Sequence, residues 1–307
     1  MKFSIYQESR IGKRSNNEDR LAYCYSWNAL LIVIADGMGG HHYGEIAAKI
    51  AIQTLVTAFQ REATPSISNP LKFLEEKMLN AHHAIVAFAL KHRLSDMPRT
   101  TCVACLIQDN TAYWAHAGDS RLYLIRNGKI MLRTRDHSRL QLLLDQGAIS
   151  ASHAATHPDR NKIYCSLGGP SIPEVELSRQ ISMEAGDIVL LCTDGLWGPL
   201  SEDFIINTLK EDDLHQSASW LLGYAEKQAG NNADNLSLIV VRWNDNAVEK
   251  VIDTSSYIST IALNSDIPTI TRTEILNQDS PSKYGITDDE IEQVIEEIRL
   301  SIQKRYK

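Results

Sequence analysis

Two long apolar runs each close on Asp-Gly. Leu30-Leu31-Ile32-Val33-Ile34-Ala35 leads into Asp36-Gly37-Met38-Gly39-Gly40, and Ile188-Val189-Leu190-Leu191-Cys192-Thr193 leads into Asp194-Gly195. Runs of this length, rich in β-branched residues and ended by Gly, predict buried strands. Further strands are predicted over 21–25, 102–108, 112–117 and 236–243, and Asn127-Gly128 predicts a hairpin between 121–126 and 129–133. Helical spacing covers 44–61, where Ala47, Ile50, Ala51, Leu55 and Ala58 share a face, and a second stretch from Leu71 to Phe88. Ser138 and Ser201 are placed as N-caps of shorter helices, and a helix over 214–229 stops at Gly230. The irregular, polar residues 148–170 place a flap at about 138–170.

The pattern changes after Asn244. Residues 1–245 form the main domain, and 246–285 read as a Ser/Thr-rich linker. Thr287 and Glu290 then make a capping box for an amphipathic helix over 286–307, with Ile291, Val294, Ile295, Ile298 and Ile302 as its apolar stripe. That stripe either docks on the main domain or recruits a partner, such as a kinase or scaffold, through a flexible tether. The long polar segment before it favours the tether.

Charge and composition narrow the field. The 307 residues carry a net charge of −7, which argues against a general nucleic-acid binder. No stretch approaches the ~20 apolar residues needed to span a bilayer. Residues 1–6 lack the apolar core of a signal peptide, so a cytoplasmic protein is expected. Cys102 and Cys105 form a CxxC, a spacing also used for zinc or redox chemistry. They fall within a strand, where residues three apart point to opposite faces, so both are expected in the core.

The candidate chemistry lies at strand ends. Asp19 precedes a strand, Asp36 and Asp194 follow strands, Asp234 precedes another, and Asp119 sits between two. An Asp at the mouth of a buried strand is costly unless its charge is compensated, and several together suggest a shared cation. Oxygen ligands select Mg²⁺, Mn²⁺ or Ca²⁺ over Zn²⁺. Each motif alone is a common turn signal; their joint order is far more specific.

Arg14-Ser15-Asn16-Asn17-Glu18-Asp19, Ala35-Asp36-Gly37-Met38-Gly39-Gly40-His41, Gly118-Asp119-Ser120-Arg121, Asp136-His137-Ser138, His157-Pro158 with Arg160-Asn161, Leu167-Gly168-Gly169, Thr193-Asp194-Gly195-Leu196 and Asp234-Asn235 occur in that order. With them the chain resembles the metal-dependent protein phosphatases of the PP2C type (the PPM family), in a bacterial form, across residues 4–245. The resemblance implies an α+β fold, a four-layer α-β-β-α sandwich of two antiparallel sheets flanked by helices. It implies hydrolysis of phosphoserine and phosphothreonine in proteins by water activated on two Mn²⁺ or Mg²⁺ ions, reversing a bacterial Ser/Thr kinase. By matching position, Asp36 would bridge two ions, the Gly37 carbonyl, Asp194 and Asp234 would complete the core shell, and Asp19 would act mainly through water. Asp119 would help Asp194 hold a third, weaker ion. Arg14 would hold the phosphate.

His41 is a general-acid candidate for the leaving alkoxide and equally a solvent-facing histidine beside Gly-Gly. His82-His83, His116 and His137 are expected to be structural. One departure stands out: Gly198 lies where family members commonly carry Asp or Asn, which should weaken the third ion. The alternatives are a phosphatase-like binding module that no longer turns over, and a two-metal phosphoesterase acting on small molecules or nucleic acid. Phosphoprotein substrates and a monomer are expected.

Overall fold

The computed structural model describes residues 1–38, 43–150, 153, 157–159, 162–244, 272–276 and 287–305. The strands in chain order are β1 (Phe3–Arg10), β2 (Asp19–Tyr25), β3 (Ala29–Met38), β4 (Arg99–Thr100), β5 (Cys102–Gln108), β6 (Thr111–Ala117), β7 (Arg121–Arg126), β8 (Lys129–Arg133), β9 (Glu176–Leu177), β10 (Ile181–Ser182), β11 (Ile188–Cys192), β12 (Leu236–Trp243) and β13 (Arg272–Leu276). The helices are α1 (Gly44–Glu62), α2 (Pro70–Lys91), α3 (Arg139–Asp145), α4 (Asp194–Trp197), α5 (Glu202–Leu209), α6 (Leu214–Ala229) and α7 (Asp288–Arg305).

Two antiparallel sheets form the centre. One runs β1-β12-β11-β7-β8, and the other runs β10-β6-β5-β3-β2-β13, with β4 beside β3 and β9 beside β6. Alternate residues of β2 and β3 face opposite ways, and both faces are covered. Leu21, Tyr23, Leu30, Ile32 and Ile34 meet Leu122, Leu124, Leu191, Ile239 and Val241 between the sheets. Ala22, Leu31, Val33 and Ala35 pack instead against Ile50, Leu55, Met78 and Ile85 of α1 and α2. The opposite sheet buries Leu190, Leu238 and Val240 under α5 and α6. Covering on both faces explains why these strands read as continuous apolar runs, and the four layers expected from sequence are all present.

Local chemistry follows the same logic. Asn127 and Gly128 adopt φ of 49° and 70°, the left-handed pair that a tight hairpin between β7 and β8 requires. Ser138 and Ser201 accept backbone N–H bonds from Gln141 and Phe204, capping α3 and α5. Cys102 packs on the helix side of its sheet and Cys105 between the sheets; both are free thiols. Of the expected flap, the described residues include α3 and the bridges Ser138–Ile163 and Thr100–Leu167; residues 151–152, 154–156 and 160–161 lie outside them.

The C-terminal region differs from expectation. The segment 246–285 is not linker throughout, because β13 pairs antiparallel with β2, setting Leu276 opposite Leu21. Its Ser/Thr content hides a β-favouring run, Ile270-Thr271-Arg272-Thr273-Glu274-Ile275, and pairing satisfies the backbone edge of β2. The capping box of α7 forms as expected, with Thr287 N–H donating to Glu290 at 2.9 Å and Glu290 N–H to Thr287 Oγ1 at 3.3 Å. The apolar stripe is not held out for a kinase or scaffold. Ile291 and Val294 are buried against the α1–α2 layer, and Lys91 reaches Glu297 at 3.4 Å. Burying each aliphatic side chain is worth about 1.5–3 kcal/mol, enough to hold an amphipathic helix on a nearby apolar face.

Val294→Asp should therefore release α7. Limited proteolysis should then remove the C-terminal region at protease concentrations that leave the wild type intact, while residues 1–244 persist as a folded fragment.

Candidate active site

The antiparallel register of β2 and β3 sets Asp19 directly opposite Asp36 at one end of their sheet. In the facing sheet, Asp194 begins α4 one residue beyond the end of β11, after Thr193, and Asp234 lies two residues before β12, the neighbour of β11. Asp119 follows β6 in the turn toward β7. Asp19 joins the two sheets: its Oδ2 accepts from Thr193 Oγ1 at 3.0 Å and from Ser237 Oγ at 2.7 Å. Asp19 and Asp119 are buried, whereas Asp36, Asp194 and Asp234 keep partial contact with solvent, so the cluster has an open side.

Close backbone approach brings these ends together. A β-carbon on Gly195 would lie 2.0 Å from the Asn235 carbonyl oxygen, and one on Gly37 would lie 2.3 Å from the backbone of Gly44. Gly12, at φ +62°, passes equally near the Asp234 carbonyl oxygen. Only glycine fits such contacts. Thr101 completes the floor, donating its N–H to the Asp36 carbonyl at 2.8 Å and bonding Ser120 through Oγ1 at 2.6 Å.

The carboxyls repel one another. Burial, followed by the charges of Asp19, Asp194, Asp119 and Asp234, holds Asp36 well above the usual carboxylate range. Burial and then Asp194 do the same to Asp119. Asp194 is pushed up to about 6 by burial and Asp234, and Asp19 to about 7 chiefly by burial. Glu18 is also raised to about 7, by burial and by Glu45. So many oxygen donors from five chain segments, each costly to ionise alone, suit hard divalent cations. The match is to Mg²⁺ or Mn²⁺ rather than to a thiolate- or imidazole-seeking ion.

A family model described as Protein phosphatase 2C matches residues 6–233. The chain belongs to the protein phosphatase 2C family. The serine/threonine protein phosphatase PstP of Mycobacterium tuberculosis is 34% identical over 227 residues, 74% of this chain and 42% of PstP, so the chain spans less than half of that relative. A putative protein phosphatase 2C-type of Streptococcus pyogenes is 31% identical over 252 residues, 81% of this chain and 100% of that protein. Among solved structures, the catalytic domain of PstP in complex with two manganese ions matches with a TM-score of 0.68 and 30% identity, covering 80% of this chain and 99% of that one.

At this end of the sandwich the structure draws together Asp19, Asp36, Gly37, Asp119, Asp194 and Asp234. Arg14 is close by: its Nη2 donates to Asp234 Oδ2 at 2.6 Å, and its side chain is 60% exposed. It is thus at the rim with a solvent-facing guanidinium. His41 lies outside the described residues. Gly198 donates its N–H to the Asp194 carbonyl at 2.8 Å, and a β-carbon there would come within 2.7 Å of that oxygen. Gly198 is therefore packed closely against the first residue of α4, at that helix's C-terminal end.

Several residues support the site through contacts that the sequence did not reveal. Trp197 Nε1 donates to the Asp119 carbonyl at 3.0 Å, and the Arg121 guanidinium lies 3.5 Å from the Trp197 ring while gripping Asp136 through two bonds. Asn235 accepts from Glu18 N–H at 2.9 Å and donates to the Asn16 and Ile11 carbonyls. Asn235 belongs to the Asp234-Asn235 motif and Trp197 directly follows the Thr193–Leu196 motif, but their partners are more than seventy residues away in sequence.

Without a divalent cation, the raised carboxyls make the folded chain bind protons more tightly than the unfolded chain. The associated stability is present below the ordinary carboxylate range and is lost as pH rises through about 6 to 7, where Asp194 and Asp19 ionise in the fold. Mn²⁺ should accordingly raise the thermal midpoint, measured against EDTA, several degrees more at about pH 8 than at about pH 5. Equal shifts at both pH values would contradict this arrangement of charge.

Proposed function

We propose that this chain hydrolyses phosphoserine and phosphothreonine monoesters in proteins, opposing a Ser/Thr kinase. The convergence of five aspartates from both sheets, beside one exposed arginine, carries the proposal. Asp36, Asp194, Asp234 and the Gly37 carbonyl would hold two Mn²⁺ or Mg²⁺ ions, with Asp19 beside them and Asp119 near Asp194. Bound there, such ions supply a water of lowered pKa and neutralise charge on the phosphate oxygens.

The chain's own residues do the rest. Arg14 binds the phosphoryl oxygens, since a guanidinium pairs bidentately with phosphate. Its exposed side chain can exchange the Asp234 carboxylate for substrate. Thr193 and Ser237 fix Asp19 through its Oδ2. Trp197 fixes the backbone of Asp119. His41 donates a proton to the leaving alkoxide. No cysteine nucleophile takes part: Cys102, Cys105 and Cys192 are buried, and burial pushes the Cys102 thiol up to about 12. The catalytic unit works as a cytoplasmic monomer, and kinase recognition would use a surface other than the docked stripe of α7.

A phosphothreonine peptide should release phosphate with Mn²⁺ and not with EDTA. Asp36→Asn should lower kcat by on the order of 10²–10³-fold or more, because several kcal/mol of charge stabilisation is lost. Arg14→Ala should act mainly on KM, with kcat/KM falling about 10–100-fold for loss of a charge-assisted bond. A correctly folded wild type that binds Mn²⁺ yet releases no phosphate would instead favour a binding module.

A further inference from the structure

A second cluster of ligand-type side chains lies behind the carboxylate site. His116 on β6 and Glu176 on β9 face one another across an antiparallel pair. His137, from the segment after β8, lies beside His116 with ring centroids 4.6 Å apart and planes tilted by 32°. One potential ligand atom from each of the three residues lies within 4.8 Å of the other two. We propose that His116, His137 and Glu176 form a binding site for a divalent transition ion of the Zn²⁺ class, separate from the aspartate cluster.

The hydrogen bonds assign the donor atoms. His116 Nε2 lies 2.8 Å from the Arg135 carbonyl. A carbonyl only accepts, so Nε2 carries the proton and Nδ1 presents a lone pair. That Nδ1 is buried and has no hydrogen-bond partner among the described residues, on a residue only 1% exposed. An orphaned nitrogen of this kind is costly in a folded core unless something coordinates it. Burial also holds the imidazole of His116 below its ordinary basicity, so it stays neutral and able to ligate. The Arg135 carbonyl is the outer partner that ligating histidines typically have on their second nitrogen.

The other two residues are spaced for an ion. His137 Nε2 and Glu176 Oε2 are 3.3 Å apart, about the separation of two ligands on a tetrahedral ion with bonds of ~2.0 Å. The Glu176 side chain is 48% exposed and gives a route from solvent, while His137 is nearly covered. Two imidazoles and one carboxylate, with a fourth position for water, suit Zn²⁺ and leave Mg²⁺ to the oxygen-only cluster.

Occupancy would reach the aspartate site through one proton. His137 Nδ1 accepts from the Gly118 N–H at 3.4 Å, so its proton sits on Nε2, toward Glu176. Coordination through Nε2 moves that proton to Nδ1, with no net release. The Gly118 N–H then faces another N–H and loses its acceptor. Gly118 directly precedes Asp119 and is held at φ +115° against Thr101, so the turn that carries Asp119 must adjust.

Co²⁺ reports the site, because its visible absorption is strong in four- or five-coordinate mixed-ligand sites and weak on six oxygens. The full chain, saturated with Mg²⁺, should take up one Co²⁺ with a strong visible band, and stoichiometric Zn²⁺ should bleach it. Asp36→Asn should leave the band in place. Glu176→Gln, at an exposed side chain, should weaken Co²⁺ binding at least tenfold. His116→Gln, which keeps a donor for the Arg135 carbonyl, should abolish the band; if that variant fails to fold by circular dichroism, Glu176→Gln decides. Only the weak bands of octahedral Co²⁺ in the wild type, or an unchanged band in Glu176→Gln, would overturn the proposal.

Discussion

The fold is organised around carboxylates that it cannot easily bury. Asp19 sits between two apolar sheets, and its charge has to be met by Thr193 and Ser237 from the facing sheet. An isolated carboxylate taken from water into such a setting is expensive, so it is either hydrogen-bonded, protonated or paired with a cation. Here the same cost recurs at Asp36, Asp119 and Asp194. Their mutual repulsion makes one end of the sandwich a site that divalent cations stabilise and that protons alone compensate poorly at neutral pH.

Bringing these groups together demands backbones that touch. Gly37, Gly195 and Gly12 each occupy a place where a β-carbon would collide with a neighbouring main chain. The glycine in each Asp-Gly pair is therefore more than a strand terminator. It lets the segment carrying one aspartate pass against the segment carrying another. The apolar runs then act as rigid rods, because both faces of β3 and β11 are packed and their ends cannot drift.

The outer parts of the molecule support this centre from a distance. β13 covers the edge of β2, the strand that begins with Asp19. Helix α7 lies on the helical layer that backs β3. On the other side of Gly118, His116 and His137 add softer imidazole nitrogens beside the Glu176 carboxylate. Two donor sets of different hardness thus share one turn, the Gly118-Asp119 segment, which is a physical route by which one could influence the other.

The sequence alone determined much. The apolar runs, the Asn127-Gly128 turn, the serine caps and the ordered set of Asp motifs specified the central strands, most helices and the aspartates of the site, because each is a local signal of backbone conformation or charge; the edge strand β1 and the short β4, β9 and β10 gave no such signal. It also placed Cys102 and Cys105 on opposite faces from strand geometry alone. Tertiary structure decided the rest. Whether Ile291 and Val294 dock or wait for a partner depends on a complementary apolar face more than two hundred residues away. Strand β13 was masked by polar composition and exists because the edge of β2 is open to pairing. The Trp197–Asp119 bond and the orphaned nitrogen of His116 were invisible for the same reason: hydrogen-bond partners and their absence are properties of packing, and no local pattern records them.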